Sequence, residues 1–400
     1  MKLVHLSDLH LGYRQYHRST TGGLNQREAD VALAFKKTMD AVIDLKPDVI
    51  VIGGDVFHSV RPTTPAILHA YKQFARLREQ LPDTIVVMVA GNHDTPRTTE
   101  TGHIIRLFSA LGVTVVDTAP KRLTFRDGEL SILAIPSQPG KPWPAFDPDP
   151  AARYNVLLIH GAVEGVVKRF TPISEPGVGD LTVNQLSDER WDYIALGHYH
   201  VYHQVAKKAF YSGSLEYTST NVWGEVDEEQ EKRVDGRPIP GKGFIERDLA
   251  TGAHEFRKVS LARRVVDLPA IQGASLSASE LSDAITFAVE SSKEGIENKI
   301  VRLVVRDVPR HVLRDIDHRK IREFKRSALH FLLDVRKPAP VRIDMSGAPG
   351  RRASLIETVK IMLETRDMTP GIDRQSLVDL GMHYLLEADR LAPALSGDDT

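Results

Sequence analysis

The chain has 400 residues, of which 42% are hydrophobic and 26% charged, and its formal net charge is −1. This length allows two or three domains with sizeable cores, while the neutral balance excludes a basic footprint over the whole molecule, so nucleic-acid contacts must come from local patches. Cysteine is absent, which excludes disulfides and thiolate metal sites and fits a reducing cytoplasm. No apolar run approaches the roughly 18 residues of a membrane span, so we expect a cytoplasmic protein without a membrane segment.

Strand and helix patterns alternate over residues 1–135. Short β-branched runs, typical of strands buried on both faces, occur at 2–7, 49–52, 85–90 and 130–135. Between these runs, apolar residues recur at helical spacing in 31–42, 65–80 and 101–111. Pro47 and Gly112 follow the first and the last of these stripes and end the predicted helices. The series predicts an α/β domain with a largely parallel sheet.

The middle of the chain is richer in strand patterns. A connector with six prolines at 136–150 leads to strand-like runs at 155–159, 193–196, 210–215 and 243–246. Within this stretch, residues 226–241 are charged and carry proline and glycine, so we expect an exposed loop there. We assign residues 1–260 to one domain on this basis.

The composition shifts near Leu261. Residues 261–338 read as a strand, a helix, a second strand and a mixed segment, which predicts a smaller α+β domain with its own core. A proline- and glycine-bearing linker at 339–350 follows, and then two amphipathic helices within 351–390, separated by Pro370-Gly371. Because two such helices cannot bury both apolar stripes in isolation, we expect them to pack on the body or on another protein.

Five of the predicted strands are followed at once by side chains that can bind a metal ion. These side chains are Asp8, His10, Asp55, Asn92, His160, His198 and His200. Polar groups at the carboxyl edge of a buried sheet are where α/β proteins place their sites. Oxygen and nitrogen ligands without sulfur suit divalent ions such as Mn, Fe or Zn.

The chemistry that these residues permit is hydrolysis at phosphorus. Two divalent ions about 3.5–4 Å apart can activate a water and stabilise the leaving oxygen. Asp55 is the natural bridging ligand, since it follows two glycines that allow a close backbone approach. One ion would take Asp8, His10 and His200, and the other would take Asn92, His160 and His198. His93 is placed to meet the phosphate, and Asp94 could hold its imidazole in the required tautomer.

At these residues the sequence resembles the calcineurin-like metallophosphoesterase superfamily. The five parts of its pattern, D-x-H, G-D, G-N-H-[DE], H and G-H-x-H, are present in order. His58, in Gly54-Asp55-Val56-Phe57-His58, stands where phosphatases of the superfamily usually carry Asp. In this the chain is similar to the SbcD-type DNA repair exonucleases, which include the nuclease subunit of the eukaryotic MRN complex. Tyr211-Ser212-Gly213-Ser214 and Lys242-Gly243-Phe244 add to the likeness.

The resemblance implies a β-sandwich flanked by helices, a capping domain and a helical tail. It implies Mn²⁺-dependent cleavage of DNA, as an exonuclease on double strands and an endonuclease on single strands, with His58 contacting or ordering the substrate phosphate. It also implies a homodimer, for which the helices at 65–80 and 101–111 are our candidates. An SMC-like ATPase would dock on the tail helices.

Several alternatives stay open at this point. Residues 302–337 carry eleven Lys and Arg against five Asp and Glu, which fits either DNA contact or a solvated helix face. The aromatic and basic loop 13–18 fits DNA contact because it follows two ligands directly. A small phosphoester is an alternative substrate for the same site. A catalytically silent scaffold is disfavoured because no ligand of the pattern is missing.

Overall fold

The computed structural model describes residues 1–96, 102–138, 140–166, 181–231, 233–234, 237–238, 241–336, 355–366 and 373–395. It divides into two compact units, residues 1–338 and residues 339–400. The predicted linker at 339–350 and the Pro370-Gly371 break lie outside the described residues. Among the described helices, none has both the length and the apolar character needed to cross a membrane.

The strands are numbered in chain order. The first ten are β1 (Lys2–Leu6), β2 (Val49–Ile52), β3 (Ile85–Val89), β4 (Thr114–Val116), β5 (Lys121–Phe125), β6 (Leu130–Ile135), β7 (Tyr154–His160), β8 (Tyr193–Gly197), β9 (His203–Ala206) and β10 (Ala209–Tyr211). The others are β11 (Arg233–Val234), β12 (Arg237–Pro238), β13 (Gly243–Asp248), β14 (His254–Lys258), β15 (Val265–Gln272), β16 (Ile300–Arg306) and β17 (His330–Arg336).

The helices are numbered in the same way. They are α1 (Gln26–Leu45), α2 (Thr64–Gln80), α3 (Val222–Glu231), α4 (Ala278–Glu290), α5 (Arg310–Arg314), α6 (His318–Ser327), α7 (Leu355–Thr365) and α8 (Arg374–Leu395). The stripe predicted at 101–111 forms a 3₁₀ helix, Ile104–Leu111, which ends at Gly112 with a φ of 76°. Asn25 caps α1 by accepting hydrogen bonds from two backbone N–H groups, and Thr63 caps α2.

Two six-stranded sheets form the body of the first unit, with the orders β14-β13-β1-β2-β3-β4 and β5-β6-β7-β8-β10-β9. The first is mixed, since β1 to β4 are parallel and β13 runs antiparallel to β1. The second is mixed as well, since β6, β7 and β8 are parallel and β5 runs antiparallel to β6. Alternate residues of the first sheet point to opposite sides. Leu3 and Val51 pack in one core with the second sheet, whereas Val4 and Ile52 pack under α1 and α2. The predicted β-sandwich flanked by helices is thereby confirmed.

A third sheet, β15-β16-β17, is parallel and has a core of its own. Leu281 and Ile285 from α4 and Ile321 and Phe324 from α6 cover it. We call residues 265–336 the cap. The predicted boundary between 1–260 and 261–338 stays a prediction, because both segments lie in the first compact unit.

The prediction of an exposed loop at 226–241 is wrong for its first part. Residues up to Glu231 continue α3, and Glu225, Val226 and Glu229 are buried. The buried Lys242 ammonium lies 3.2 Å from Glu229 and contacts Glu225 more closely still. A dense run of acidic residues indicates a solvated loop only when no buried cation compensates its negative charge. Here Lys242, which directly precedes β13, supplies that cation.

The second unit contains the two predicted tail helices. α7 and α8 contact each other: Arg374 donates to the Leu363 carbonyl at 3.0 Å, and Val378 is buried. Large apolar side chains of this pair remain exposed, namely Met362, Leu380, Tyr384 and Leu386. The expectation that the pair packs on the body or on another protein stays a prediction.

Candidate metal centre

The seven predicted ligands come together where strands of both sheets end. Those from the first sheet follow β1, β2 and β3, and those from the second sheet end β7 or follow β8. Parallel strands that are neighbours in each sheet bring these ends to one edge, and the packing of the two sheets brings the edges together.

The first group consists of Asp8, His10 and His200, whose ligand atoms all lie within 4.8 Å of one another. The His10 and His200 Nε2 atoms are 2.9 Å apart, and His10 Nε2 is 3.8 Å from a carboxylate oxygen of Asp55. Asp8 also accepts the backbone N–H of His198 at 3.1 Å.

The second group consists of Asp55, His160 and His198, which meet the same distance limit. Asn92 joins it, since its Oδ1 lies 2.8 Å from His160 Nε2 and 3.1 Å from His198 Nδ1. Asp55 Oδ2 is 3.5 Å from His160 Nε2. Asp55 therefore lies between the two groups, as a shared ligand must.

The donor set fits divalent cations. The Gly53 carbonyl accepts a hydrogen bond from His160 Nδ1 at 2.6 Å, so in the neutral ring the Nε2 lone pair faces Asn92 Oδ1 and Asp55. Lone pairs this close repel one another unless a proton or a cation lies among them. A backbone carbonyl that fixes the tautomer of a ligating histidine is the usual support of a metal site.

Burial disfavours the charged forms of the ligand side chains when no cation is bound. Asp8, His10, Asp55 and His160 are all at most 1% exposed. Burial raises the pKa of the Asp55 carboxyl, and burial together with the surrounding histidines holds the pKa of His10 well below its usual range. A divalent cation reverses the preference of Asp55, because it favours the carboxylate, and it reinforces that of His10, because it binds neutral imidazole.

The backbone at the site is held in a conformation that L-residues rarely adopt. Asp8, His10, Asp55 and His198 have φ values of 53°, 45°, 51° and 108°. Such conformations cost on the order of 1–3 kcal/mol each and persist only when the surroundings enforce them. Four of the predicted ligands are thus held in position by the backbone as well as by their neighbours.

His93 and His58 lie beside the first group. The ring centroids of His93 and His10 are 4.8 Å apart. The His93 ring also stacks on that of His58, with their centroids 5.1 Å apart. His93 Nδ1 donates to the His58 carbonyl at 2.8 Å, and the His93 backbone N–H donates to Asp55 at 2.9 Å. His58 therefore positions His93 through its main chain, and its own Nδ1 lies 3.3 Å from Nδ1 of His10.

Asp94, which the sequence predicts to orient the His93 imidazole, is held by backbone amides. Asp94 is fully buried and accepts the backbone N–H groups of Val56, Phe57 and Gly91 at 3.0–3.1 Å. Burial and the neighbouring Asp55 raise the pKa of Asp94 to about 7. Its carboxyl group thereby joins the loops after β2 and β3, and its contact with the His93 imidazole stays a prediction.

Two supporting residues were not predicted from the sequence. Ser7 donates to Asp8 at 2.6 Å and contacts Ser212 at 2.8 Å. Glu225 Oε1 lies 3.4 Å from Nδ1 of His200. Burial alone would raise the pKa of Glu225, but Lys242 and His200 outweigh it and hold that pKa at about 2. The motifs around Ser212 and Lys242 were the available signal, but a motif does not show which ligand its residues support.

Part of the loop 13–18 contacts the cap. Tyr16 stacks on His330 with ring centroids 4.1 Å apart, and Arg18 donates to the Ala328 carbonyl at 3.2 Å. Tyr13 is only 3% exposed, whereas Arg14 and His17 are exposed. The surface that this loop offers for the predicted DNA contact is thus smaller than its composition indicates.

The site combines carboxylate, amide and imidazole groups, and it lies at the strand ends of a β-sandwich flanked by helices. This combination of fold and site defines a metal-dependent phosphoesterase. The model of the calcineurin-like phosphoesterase family matches residues 1–231, more than half of the chain. The chain belongs to this family.

Relatives of this chain include archaeal proteins named DNA double-strand break repair protein Mre11. The protein of Methanococcus maripaludis is 27% identical over 259 residues, which are 62% of this chain and 63% of that protein. The protein of Methanosarcina mazei is 24% identical over 79% of this chain and 54% of its own length. The protein of Methanocaldococcus jannaschii is 40% identical over 97 residues, 24% of each chain. The matches thus span less than two thirds of these relatives.

Proposed function

We propose that the chain is a DNA nuclease that uses two divalent ions, most favourably Mn²⁺, to hydrolyse phosphodiester bonds in DNA end processing. The observation that carries the proposal is the pair of ligand groups that share Asp55, with His93 beside them. The name of the Mre11 relatives supports DNA as the substrate. Such an enzyme would act in the cytoplasm, on the nucleoid.

The division of labour follows from the contacts. Two divalent ions, when bound, supply a nucleophile from water and offset the charge on the reacting phosphate. Asp55 contacts both ligand groups and so sets their spacing. Because His93 Nδ1–H is engaged by the His58 carbonyl, proton transfer from this ring goes through Nε2. His93 then protonates the leaving oxygen or donates to the phosphate, and the His58 ring orders the same phosphate.

The cap supplies positive charge for the DNA backbone. Arg310, Arg314, Arg319, Arg322 and Lys325 are exposed on α5 and α6. Arg302 does not belong to this set, because it is buried and pairs with Asp267. Arg314 and Arg319 also pair with Asp315 and Glu323 at the surface, where such pairs are weak. Exposed cations of this kind can contact phosphates, and such contacts weaken as salt rises. A solvated helix face remains the alternative for the same charges.

The substrate class can be tested on the purified full chain. With Mn²⁺ we expect degradation of linear duplex DNA and cutting of single strands, and EDTA should abolish both because every ligand group then lacks its ions. The matched comparison is a nucleotide and a sugar phosphate under the same conditions. Hydrolysis of these small esters without attack on DNA would favour the small-phosphoester alternative, which needs no basic cap.

Assembly is proposed on two surfaces. Leu68 and Tyr71 of α2 are exposed at 53% and 39%, which supports α2 and the 3₁₀ helix Ile104–Leu111 as the homodimer surface. For the tail, the exposed apolar side chains of α7 and α8 support docking of an SMC-like ATPase. Helix-in-groove recognition needs an apolar stripe of this kind.

Replacing Leu380 and Tyr384 together with Asp should abolish binding of the ATPase and leave DNA cleavage unchanged. The two side chains are 52% and 62% exposed, so the change removes apolar contact area without opening the helix pair. Co-purification and circular dichroism measure the two effects. Val378→Asp is the contrasting control, since Val378 is 4% exposed and its replacement should melt the pair. Retained binding of the ATPase by the double variant would refute the docking surface.

A further inference from the structure

The helix α3 lies between the metal centre and the cap. On one side Glu225 is buried, with its Oε1 3.4 Å from His200 Nδ1 and accepting the Ser219 backbone N–H at 3.1 Å. Lys242 contacts the other carboxylate oxygen of Glu225 and donates to the His200 carbonyl at 2.8 Å. His200 is thus held at its ring by Glu225 and at its main chain by Lys242.

This contact decides which nitrogen of His200 faces the site. A carboxylate that accepts Nδ1–H leaves the lone pair on Nε2, and Nε2 is the atom that lies 2.9 Å from His10 Nε2 in the first ligand group. Carboxylates that support a ligating histidine in this way orient the ring and raise its basicity. Without the Glu225 carboxylate, the ring of His200 has a weaker preference for that tautomer.

The other side of α3 contacts the cap. The guanidinium of Arg302, on β16, lies 4.9 Å from the ring centre of Trp223 and 3.6 Å from an Asp227 oxygen. Arg302 also donates to Asp267 on β15 at 3.0 Å. Val222 and Trp223 share a small buried cluster with Ile300 and Leu329 of the cap. Within two turns, one helix therefore supports a ligand and binds the central strand of the cap.

We propose that Glu225 is a positioning residue for His200, and that α3 couples cation binding at Asp8, His10 and His200 to the placement of the cap. The inference rests on the proposed metal centre. Both contacts belong to one rigid helix, so a cation that fixes His200 restrains α3, and α3 restrains β16. By linkage, the placement of the cap must in turn alter the affinity for the cation.

The first experiment measures Mn²⁺ binding to the full chain by calorimetry and by electron paramagnetic resonance. Glu225→Ala should weaken one site about 10–100-fold, as loss of a supporting carboxylate does, and Glu225→Gln should restore part of the affinity because its amide oxygen still accepts Nδ1–H. The matched control is Glu229→Ala. Glu229 is buried on the same helix and pairs with the same Lys242, but its described contacts go to Lys242 and the Tyr217 hydroxyl.

The outcomes distinguish failure of the positioning role of Glu225 from failure of the proposed metal centre itself. If Glu229→Ala weakens Mn²⁺ as much as Glu225→Ala, the effect is general loss of packing around Lys242 and the positioning role is wrong. If Glu225→Ala keeps wild-type affinity, the positioning role is also wrong. If the wild-type chain binds no Mn²⁺ at all, the failure lies in the proposed metal centre instead.

The second experiment tests the coupling by hydrogen exchange of the cap. Mn²⁺ should slow exchange in β16 of the wild-type chain, and this protection should disappear in Glu225→Ala at Mn²⁺ concentrations that still fill its sites. Arg302→Lys, which keeps the charge but loses the planar contact with Trp223, should weaken the same Mn²⁺ site. The loop 13–18 offers a second connection to the cap. Equal protection of β16 in Glu225→Ala would assign the coupling to that loop and overturn the role of α3.

Discussion

Gly91→Ala is expected to weaken Mn²⁺ binding severely and to abolish cleavage of DNA at Mn²⁺ concentrations that just saturate the wild-type chain. A Cβ built on Gly91 would overlap Oδ1 and the backbone nitrogen of Asp55 and lie 2.6 Å from its Cγ. The carboxylate cannot move aside alone, because the backbone of Asp55 is in the way as well. Since Asp55 contacts both ligand groups, we expect the affinity for Mn²⁺ to fall by about 100-fold or more, measured by calorimetry.

The control for this prediction is Gly22→Ala. Gly22 is exposed, and an added Cβ there meets only Thr20 Oγ1 at 3.9 Å, so binding and cleavage should not change. Asp55→Asn tests the same carboxylate without adding volume and should also lose Mn²⁺. Far-UV circular dichroism shows whether each variant folds. A folded Gly91→Ala or Asp55→Asn protein with normal Mn²⁺ affinity would rule out Asp55 as the shared ligand.

His93→Ala should reduce the rate of DNA cleavage about 100- to 10,000-fold while leaving Mn²⁺ affinity close to that of the wild-type chain. The magnitude is that of losing one positioned proton donor. His93 reaches the centre through hydrogen bonds to the His58 carbonyl and from its backbone N–H to Asp55, and the second of these survives the substitution. The turnover number, measured at saturating metal and DNA, should therefore be the quantity that decreases.

His203→Ala is the comparison variant, since this imidazole is not among the predicted ligands and lies on the edge strand β9, where its ring faces that of Tyr199 at 6.3 Å; its loss should leave cleavage unchanged. Retained binding of Mn²⁺ and DNA by His93→Ala distinguishes it from Gly91→Ala, in which the metal is lost. A His93→Ala variant that loses Mn²⁺ as severely as Asp55→Asn would show that His93 is a ligand. A variant with wild-type turnover would exclude it from the chemistry.

Much of the fold could be predicted because local patterns determine it. The apolar runs at β1, β2 and β3 are short and rich in Val and Ile, and such runs form strands wherever both faces are covered. Asn25 and Thr63 cap their helices with their own side chains, which accept backbone N–H groups two or three residues further along the chain. The residues predicted as ligands also follow strands directly, so strand order brings those of each sheet to one edge, and the packing of the two sheets brings the two edges together.

The loop predicted at 226–241 shows where local reasoning is insufficient. Glu225 and Glu229 resemble solvated acids in the sequence, yet both are buried because Lys242, more than ten positions away, compensates them. The basic residue Arg302 is similar: it belongs to a positive segment by composition, but in the fold it is buried against Trp223 and Asp267.

The sequence by itself determined the strands, the helices and the identity of the residues at the strand ends, because these depend on spacing along the chain. Only the tertiary structure decided that Asp94 holds backbone amides, that the His58 carbonyl orients His93, and that Glu225 meets His200. Each of these is a contact between segments remote in sequence. Its energy depends on burial and on which partner lies within hydrogen-bond distance, and neither is encoded in local periodicity.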